Sequence, residues 1–297
     1  MQSVGLPFAP LFTKQGSSLS TTVHPLNAPL LLNRYRPLAL LARGGSSLVY
    51  QGTDETLGRP VAIKVFSAGV DVERYNGELR LLAGLSHHGV VSFVDAGIDH
   101  SSPEDPRPFL VMELVRGRTV RDTVRQRALS AQEVGEIGYE VAEALDYVHS
   151  QGVIHRDVTP ANIMLADYGT ASSRPRARLT DFGIAIDVSY EPSGSAPVTG
   201  TAAFLSPEQV RNSVLTPATD IYSLGLVMLE CFTNTRAFPG APVESALARI
   251  DNDPEIPKKV PKQWRQLIAW MTHHEPFERP TAAELAEDIR RILRTAH

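Results

Sequence analysis

The hydrophobic period of this chain changes part-way along, and the change fixes which half can fold as sheet and which as helix. Between Tyr35 and Val115 the apolar residues fall in short runs broken by turn residues. Val61, Ile63 and Val65 alternate with Ala62, Lys64 and Phe66, the two-residue period of a strand. Leu38, Leu40 and Leu41 lead into Arg43-Gly44-Gly45-Ser46-Ser47 and then Leu48-Val49-Tyr50, a strand, a glycine turn and a second strand. Two more strands are predicted near 90–98 and 109–115, joined by the polar, proline-rich loop Asp99–Pro108. One helix is predicted among them, over 71–85, from the spacing of Val72, Tyr75, Leu79 and Leu82. After Gly117 the period becomes helical. Ser130-Ala131-Gln132-Glu133 is a capping-box sequence, followed by Val134, Ile137, Val141, Leu145 and Val148 on one face. A second box, Thr281-Ala282-Ala283-Glu284, opens a last helix with Leu285, Ile289, Ile292 and Leu293 inward. Strands first and helices later predict an α+β fold with two lobes.

Composition narrows the class. The 297 residues are enough for one large domain or two lobes sharing a core. A net charge of −4 with scattered basic residues gives no footprint for nucleic acid. The single cysteine, Cys231, excludes an internal disulfide or a cysteine-rich zinc site, and its apolar setting predicts a buried thiol. The longest apolar run, Ile221 to Phe232, contains Gly225 and Glu230 and reads as a buried core helix, so no membrane association is expected. Pro7 and Pro10 interrupt the apolar N-terminus and no basic region precedes it, so a signal peptide is not expected and the expected compartment is the cytoplasm. Residues 1–33 are rich in Ser, Thr, Pro and Asn and read as a mobile tail, with Leu30-Leu31-Leu32 the one part able to dock as a short strand or clip.

The chemistry lies at residues 155–162, His-Arg-Asp-Val-Thr-Pro-Ala-Asn, and at Asp181-Phe182-Gly183, nineteen residues beyond Asn162. A carboxylate and an amide a turn apart, followed by a second carboxylate beside glycine, supply oxygen ligands for Mg²⁺ and a partner for an incoming hydroxyl. Here the chain resembles the eukaryotic-like (Hanks-type) serine/threonine protein kinases, whose established signature this is. The resemblance runs over about 34–297. It implies a bilobal kinase fold with a β-rich N-lobe at about 34–112, a hinge at about 113–117 and a helical C-lobe at about 118–297. It also implies ATP with Mg²⁺ (or Mn²⁺) and protein substrates.

The family pattern assigns roles residue by residue. Asp157 matches the catalytic carboxylate, Asn162 and Asp181 the metal ligands, and His155 the support for Phe182. Val61-Ala62-Ile63-Lys64 resembles the strand whose lysine meets the α- and β-phosphates. Glu78 resembles that lysine's ion-pair partner, with Glu73 and Asp71 as rivals; Glu78 is favoured by the Leu81, Leu82, Leu85 and His87 that follow it. Ala42, Gly44, Gly45, Ser47 and Val49 match the loop covering ATP. Met112-Glu113-Leu114-Val115 resembles the hinge, with Met112 as gatekeeper and the backbones of Glu113 and Val115 on adenine. Val49, Ala62 and Met164 would enclose the ring, although plain core packing accounts for each apolar residue taken alone. Gly200-Thr201 and Ser206-Pro207-Glu208 resemble the end of the activation segment. Asp220 matches the residue that ties down the catalytic loop, and Glu208 with Arg279 the family's buried ion pair.

The chain departs from the pattern in places. Ala42 and Ser47 stand where the loop's first and third glycines belong. Thr159 replaces the usual lysine two residues after the catalytic aspartate, which predicts slower turnover. Pro160 and Thr201 keep serine/threonine specificity. Ala161 stands where kinases that demand upstream arginine often carry glutamate. The phrases Asp-Val-Thr-Pro-Ala-Asn and Ser-Pro-Glu-Gln look most like bacterial members. Asp167–Arg178 is polar and reads as an extended surface hairpin loop. Arg156 predicts activation by phosphate, placed by autophosphorylation between Ser189 and Thr201, with Thr199 first and Ser195 and Ser193 next. The alternative reading is a pseudokinase that binds nucleotide and acts as a scaffold or allosteric partner.

Overall fold

The computed structural model describes residues 30–44, 47–67, 79, 82–100, 106–169, 174–182 and 200–295. Five strands form an antiparallel sheet in the order β1-β2-β3-β5-β4: β1 (Tyr35–Arg43), β2 (Ser47–Asp54), β3 (Arg59–Phe66), β4 (Phe93–Asp99) and β5 (Arg107–Glu113). Gly44 N–H closes the β1–β2 turn on Ser47 O at 2.8 Å. The alternation along β3 sorts its two faces. Val61 and Ile63 are buried with Tyr35, Phe109 and Val111, while Phe66 joins the larger core on the opposite face.

Leu31 completes the first cluster. It exchanges hydrogen bonds with Tyr35 and is 6% exposed, so this part of the expected tail docks as a clip. Residues 1–29 lie outside the described residues. So do 71–78, 80 and 81, which hold most of the helix expected over 71–85; Leu79, Leu82 and Ala83 are helical. Strand β4 starts three residues later than expected, because Val90 makes only an isolated bridge, to Leu179, and β5 starts and ends two residues earlier than expected.

The second half is helical, starting with α1 (Val120–Gln126), and is built around α4 (Ala218–Thr233), which is buried on nearly every side from Thr219 to Leu229. Cys231 is buried there, and burial pushes its thiol pKa up, as expected of an inert packing residue. Helix α2 (Ala131–Ser150) buries the predicted face of Val134, Ile137, Val141, Leu145 and Val148. Its close packing rests on glycines. A Cβ on Gly135 would lie 2.6 Å from the Trp264 ring, and one on Gly138 2.9 Å from Met228. Both capping boxes form: Ser130 with Glu133 starts α2, and Thr281 with Glu284 starts the last helix, Ala282–Thr295. In that helix Leu285 and Ile289 are buried, and Ile292 and Leu293 are half-buried near its end. No helix among the described residues is long and apolar enough to cross a membrane.

A three-stranded sheet lies between the two halves, in the order β6 (Gly117–Thr119), β7 (Ile163–Ala166), β8 (Arg176–Leu179). Strands β7 and β8 pair antiparallel, so the hairpin expected at Asp167–Arg178 forms, but its loop is shorter than expected. Arg176 to Arg178 belong to a strand, and the connection shrinks to 167–175. The segment reads as polar because its arginines are charged, but each has a partner. Arg174 and Arg176 pair with the buried Glu140, and Arg178 donates to Val90 O at 2.6 Å and to the Glu113 carboxylate. Leu179 then exchanges bonds with Gly89 O and Val91 N–H, both 2.8 Å, which sets the residues after β8 against the five-stranded sheet.

Candidate active site

Four side chains singled out in the sequence meet where β3, the loop before β7 and the end of β8 converge. Lys64 Nζ lies 2.9 Å from Asp181 Oδ1, with the two side chains 14% and 27% exposed. Asp181 has φ +54°, a left-handed conformation that a non-glycine residue keeps only when its surroundings hold it. Asn162 Nδ2 donates to Asp157 O at 2.9 Å and to Asp157 Oδ2 at 2.7 Å. The amide nitrogen is thereby occupied, and the Asn162 carbonyl oxygen faces away as an acceptor. Asp157 Oδ1 is buried without a hydrogen-bond partner. Burial pushes the Asp157 carboxyl up to about 6, against the Asn162 hydrogen bond and the Lys64 charge, and Asp181 pushes the same way.

The loop that carries Asp157 is pinned from below. Asp220, fully buried, accepts the N–H groups of His155 at 2.8 Å and Arg156 at 2.7 Å, and its Oδ2 lies 2.8 Å from His149 Nε2. Arg156 has φ +66°. The His155 ring takes the Asp157 N–H on Nδ1 at 3.3 Å, so its proton sits on Nε2 and points to Thr180 O at 3.2 Å. Burial lowers the His155 pKa, which keeps this neutral tautomer. Its ring packs on Phe182 with centroids 4.7 Å apart. His155 thereby links the Asp157 loop to the Asp181 strand end.

The expected nucleotide residues divide among several elements. Val49 on β2 pairs in register with Lys64, and Ala62 with Met112. Gly44 opens the β1–β2 turn, Ala42 and Ser47 flank it, and Gly45 lies outside the described residues. Met164 is on β7 opposite Thr119. Glu113 N–H bonds Ser92 O at 3.0 Å, and its carboxylate takes Ser92 N–H at 2.8 Å as well as Arg178. Val115 follows it, half-buried. Behind Lys64 and Met112 lies an apolar cavity of about 40 Å³, bounded by Leu82, Val90, Leu110 and Phe182. Glu78 and the candidate phosphorylation sites Ser193, Ser195 and Thr199 fall outside the described residues.

The family model of the protein kinase domain matches residues 35–289. The chain belongs to the protein kinase family. It is 36% identical over 272 residues to serine/threonine-protein kinase PknL of Mycobacterium tuberculosis, covering 87% of this chain and 65% of that protein. It is 35% identical over 247 residues to serine/threonine-protein kinase PknA of M. tuberculosis (80% and 56%). It is 34% identical over 276 residues to the probable serine/threonine-protein kinase CPE1738 of Clostridium perfringens (89% and 39%). The chain thus spans between 39% and 65% of the length of these relatives.

Further features of this kinase domain bear on the site. Arg279 grips Glu208 with both nitrogens, at 2.7 and 3.0 Å, and Thr219 adds a bond at 2.8 Å. Burial pushes the Glu208 carboxyl up, but the Arg279 contacts outweigh it, so the net shift is downward and the group stays ionised. Thr159 is 2% exposed, and its carbonyl accepts Asn162 N–H at 3.0 Å. Three further residues contribute to the site without a role expected from the sequence. Thr180 supplies the carbonyl for His155, Arg178 joins β8 to Glu113, and Arg121 lies close enough to Asp157 to favour its charged form. Thr180 could have been found from its place before Asp181-Phe182-Gly183. The two arginines carry no local pattern that marks them.

Proposed function

We propose that this chain is an ATP-dependent protein serine/threonine kinase that transfers the γ-phosphoryl group to protein hydroxyls. The observation that carries the proposal is the convergence of Lys64, Asp181, Asp157 and Asn162, with the unpaired Asp157 Oδ1 buried among them. Asp157 Oδ1 accepts the substrate hydroxyl and orients it toward the phosphorus. Lys64 holds phosphate oxygens, and amides of the turn that begins at Gly44 approach them closely. Glu78 is proposed to steady Lys64.

The donor set fits a small hard cation. One carboxylate from Asp181 and one amide oxygen from Asn162 leave the remaining positions to phosphate oxygens and water, the usual manner for Mg²⁺ (or Mn²⁺). Such a cation supplies charge that offsets the phosphate oxygens. Ala62, Val49 and Met164 are assigned to the adenine ring, with the Glu113 and Val115 backbones along the hinge at about 113–117. Residues 34–297 are taken as the kinase domain, working in the cytoplasm.

The test is incubation of purified chain with labelled ATP and Mg²⁺ on a panel of peptides, followed by phosphosite mapping. Label on serine or threonine, including sites between Ser189 and Thr201, is the expected result. Nucleotide binding without transfer under any metal or substrate condition would overturn the proposal.

A further inference from the structure

Gln209 uses both ends of its amide. Ser206, Pro207, Glu208 and Gln209 open the short helix α3 (Pro207–Val210), and Ser206 caps it. Gln209 Oε1 accepts Ser206 N–H at 2.9 Å, while Gln209 N–H donates to Ser206 Oγ at 3.3 Å. A capping box accepts glutamate or glutamine at this position. The boxes at Ser130 and Thr281 in this chain both use glutamate. Gln209 has a second partner that glutamate could not serve: its Nε2 donates to Arg156 O at 2.8 Å. Among ionised or neutral side chains of this length, only an amide accepts with one atom and donates with the other at neutral pH. The contact with Arg156 therefore accounts for glutamine at 209, and the cap does not.

The Arg156 carbonyl belongs to the peptide unit that leads into Asp157. The N–H end of that unit is held by His155 Nδ1, and Gln209 holds the carbonyl end. The unit needs holding, since Arg156 sits at φ +66°, where an unrestrained arginine seldom stays. On its other side α3 is fixed by the Glu208–Arg279 pair and by Thr219. A continuous line of bonds thus runs from Arg279 through Glu208, α3 and Gln209 to the residue before Asp157.

We propose that Gln209 is a positioning residue for phosphoryl transfer: it clamps the Arg156–Asp157 peptide and couples the Ser206-Pro207-Glu208 turn to the orientation of Asp157. The proposal rests on the kinase reading above. Gln209 touches neither substrate nor metal in this scheme. Its effect falls on the alignment of Asp157, so it enters kcat and leaves nucleotide affinity alone.

The variant that separates the two duties is Gln209→Glu. It keeps the acceptor for Ser206 N–H and turns the donor facing Arg156 O into a second acceptor. Expected is a fall of about tenfold in kcat, the size of one lost hydrogen bond expressed at the transition state. The KM for ATP should stay within about twofold, and the melting temperature should fall by only about 3–6 °C. Gln209→Met loses both bonds and should lower kcat and melting temperature together. Full kcat in a folded Gln209→Glu would show that Gln209 only caps α3 and would overturn the proposal. Should Gln209→Glu fail to fold, Gln209→Met decides alone, full kcat again being the overturning result. An inactive wild type removes the kinase reading and this role with it. An active wild type beside an equally active, equally stable Gln209→Glu removes this role only.

Discussion

Replacing Asp220 by asparagine tests whether one buried carboxylate sets the geometry of the catalytic loop. Its Oδ2 serves His155 N–H and faces His149 Nε2, and its Oδ1 serves Arg156 N–H. An asparagine oxygen can occupy only one of these places. Put at Oδ2 it keeps two contacts, and the amide NH₂ then meets the Arg156 N–H, donor against donor, across a distance of 2.7 Å. The loss is one hydrogen bond to a charged acceptor in a fully buried place, about 1.5–3 kcal/mol. At roughly 2–4 °C per kcal/mol for a chain of this size, the melting temperature should fall by about 3–12 °C. Activity should fall further than stability accounts for. Arg156 at φ +66° relaxes once its N–H is unpaired, and a displacement of about 1 Å at Asp157 costs on the order of a hundredfold in rate. Thermal melts together with steady-state phosphotransfer on one peptide, below the melting range, measure both quantities. An Asp220→Asn chain with wild-type melting temperature and wild-type kcat would refute the claim that the Asp220 carboxylate holds the loop.

Lys64→Met and Asp181→Asn should each lower phosphotransfer by roughly a hundredfold or more while the fold survives, because both side chains are partly exposed, pair with each other, and are the groups proposed to meet phosphate and metal; near wild-type rates with matched melting curves would count against both assignments. Thr159→Lys should lose activity and stability together: Thr159 is 2% exposed, and a lysine must displace its neighbours before its charge can reach a phosphate. A rate above wild type would show that the missing charge, not packing, limits turnover. Asp54 supplies a pH-dependent increment. Hydrogen bonds from Arg34 lower its carboxyl from 3.8 to about 2, so its contribution is complete above pH 4 and is lost as the pH falls through about 2. Asp54→Asn should therefore lower the melting temperature at pH 6, and the difference from wild type should shrink toward pH 2; a constant difference would exclude the ion pair as its source.

Local pattern was enough for much of the scaffold. The alternation of β3, the inward face of α2 and the boxes at Ser130 and Thr281 depend on neighbours within a turn or a pleat, and each forms as its residues imply. The motif residues were legible for a different reason: the proposed phosphoryl transfer restricts which side chains stand at 157, 162 and 181, and spacing preserves their order. Segments whose partners lie far along the chain were not legible. Asp167–Arg178 read as loop because charge usually means solvent, yet Arg178 meets Glu113, 65 residues away, and Arg176 meets Glu140. Leu31 is legible only as able to dock; the surface it covers is built from Ile63 and Phe109, far along the chain.

Local residue pattern set the order of sheet and helix, the ends of two helices and the residue types brought to the site. Tertiary structure alone decided how those residues face one another: Lys64 on Asp181, 117 positions apart, Asp220 under the backbone of Arg156, and Gln209 on the carbonyl beside Asp157. The reason is one of range. Period and capping are set by interactions within a few residues, whereas a hydrogen bond across 50 or more positions exists only after the intervening chain has packed and water has been excluded from both partners.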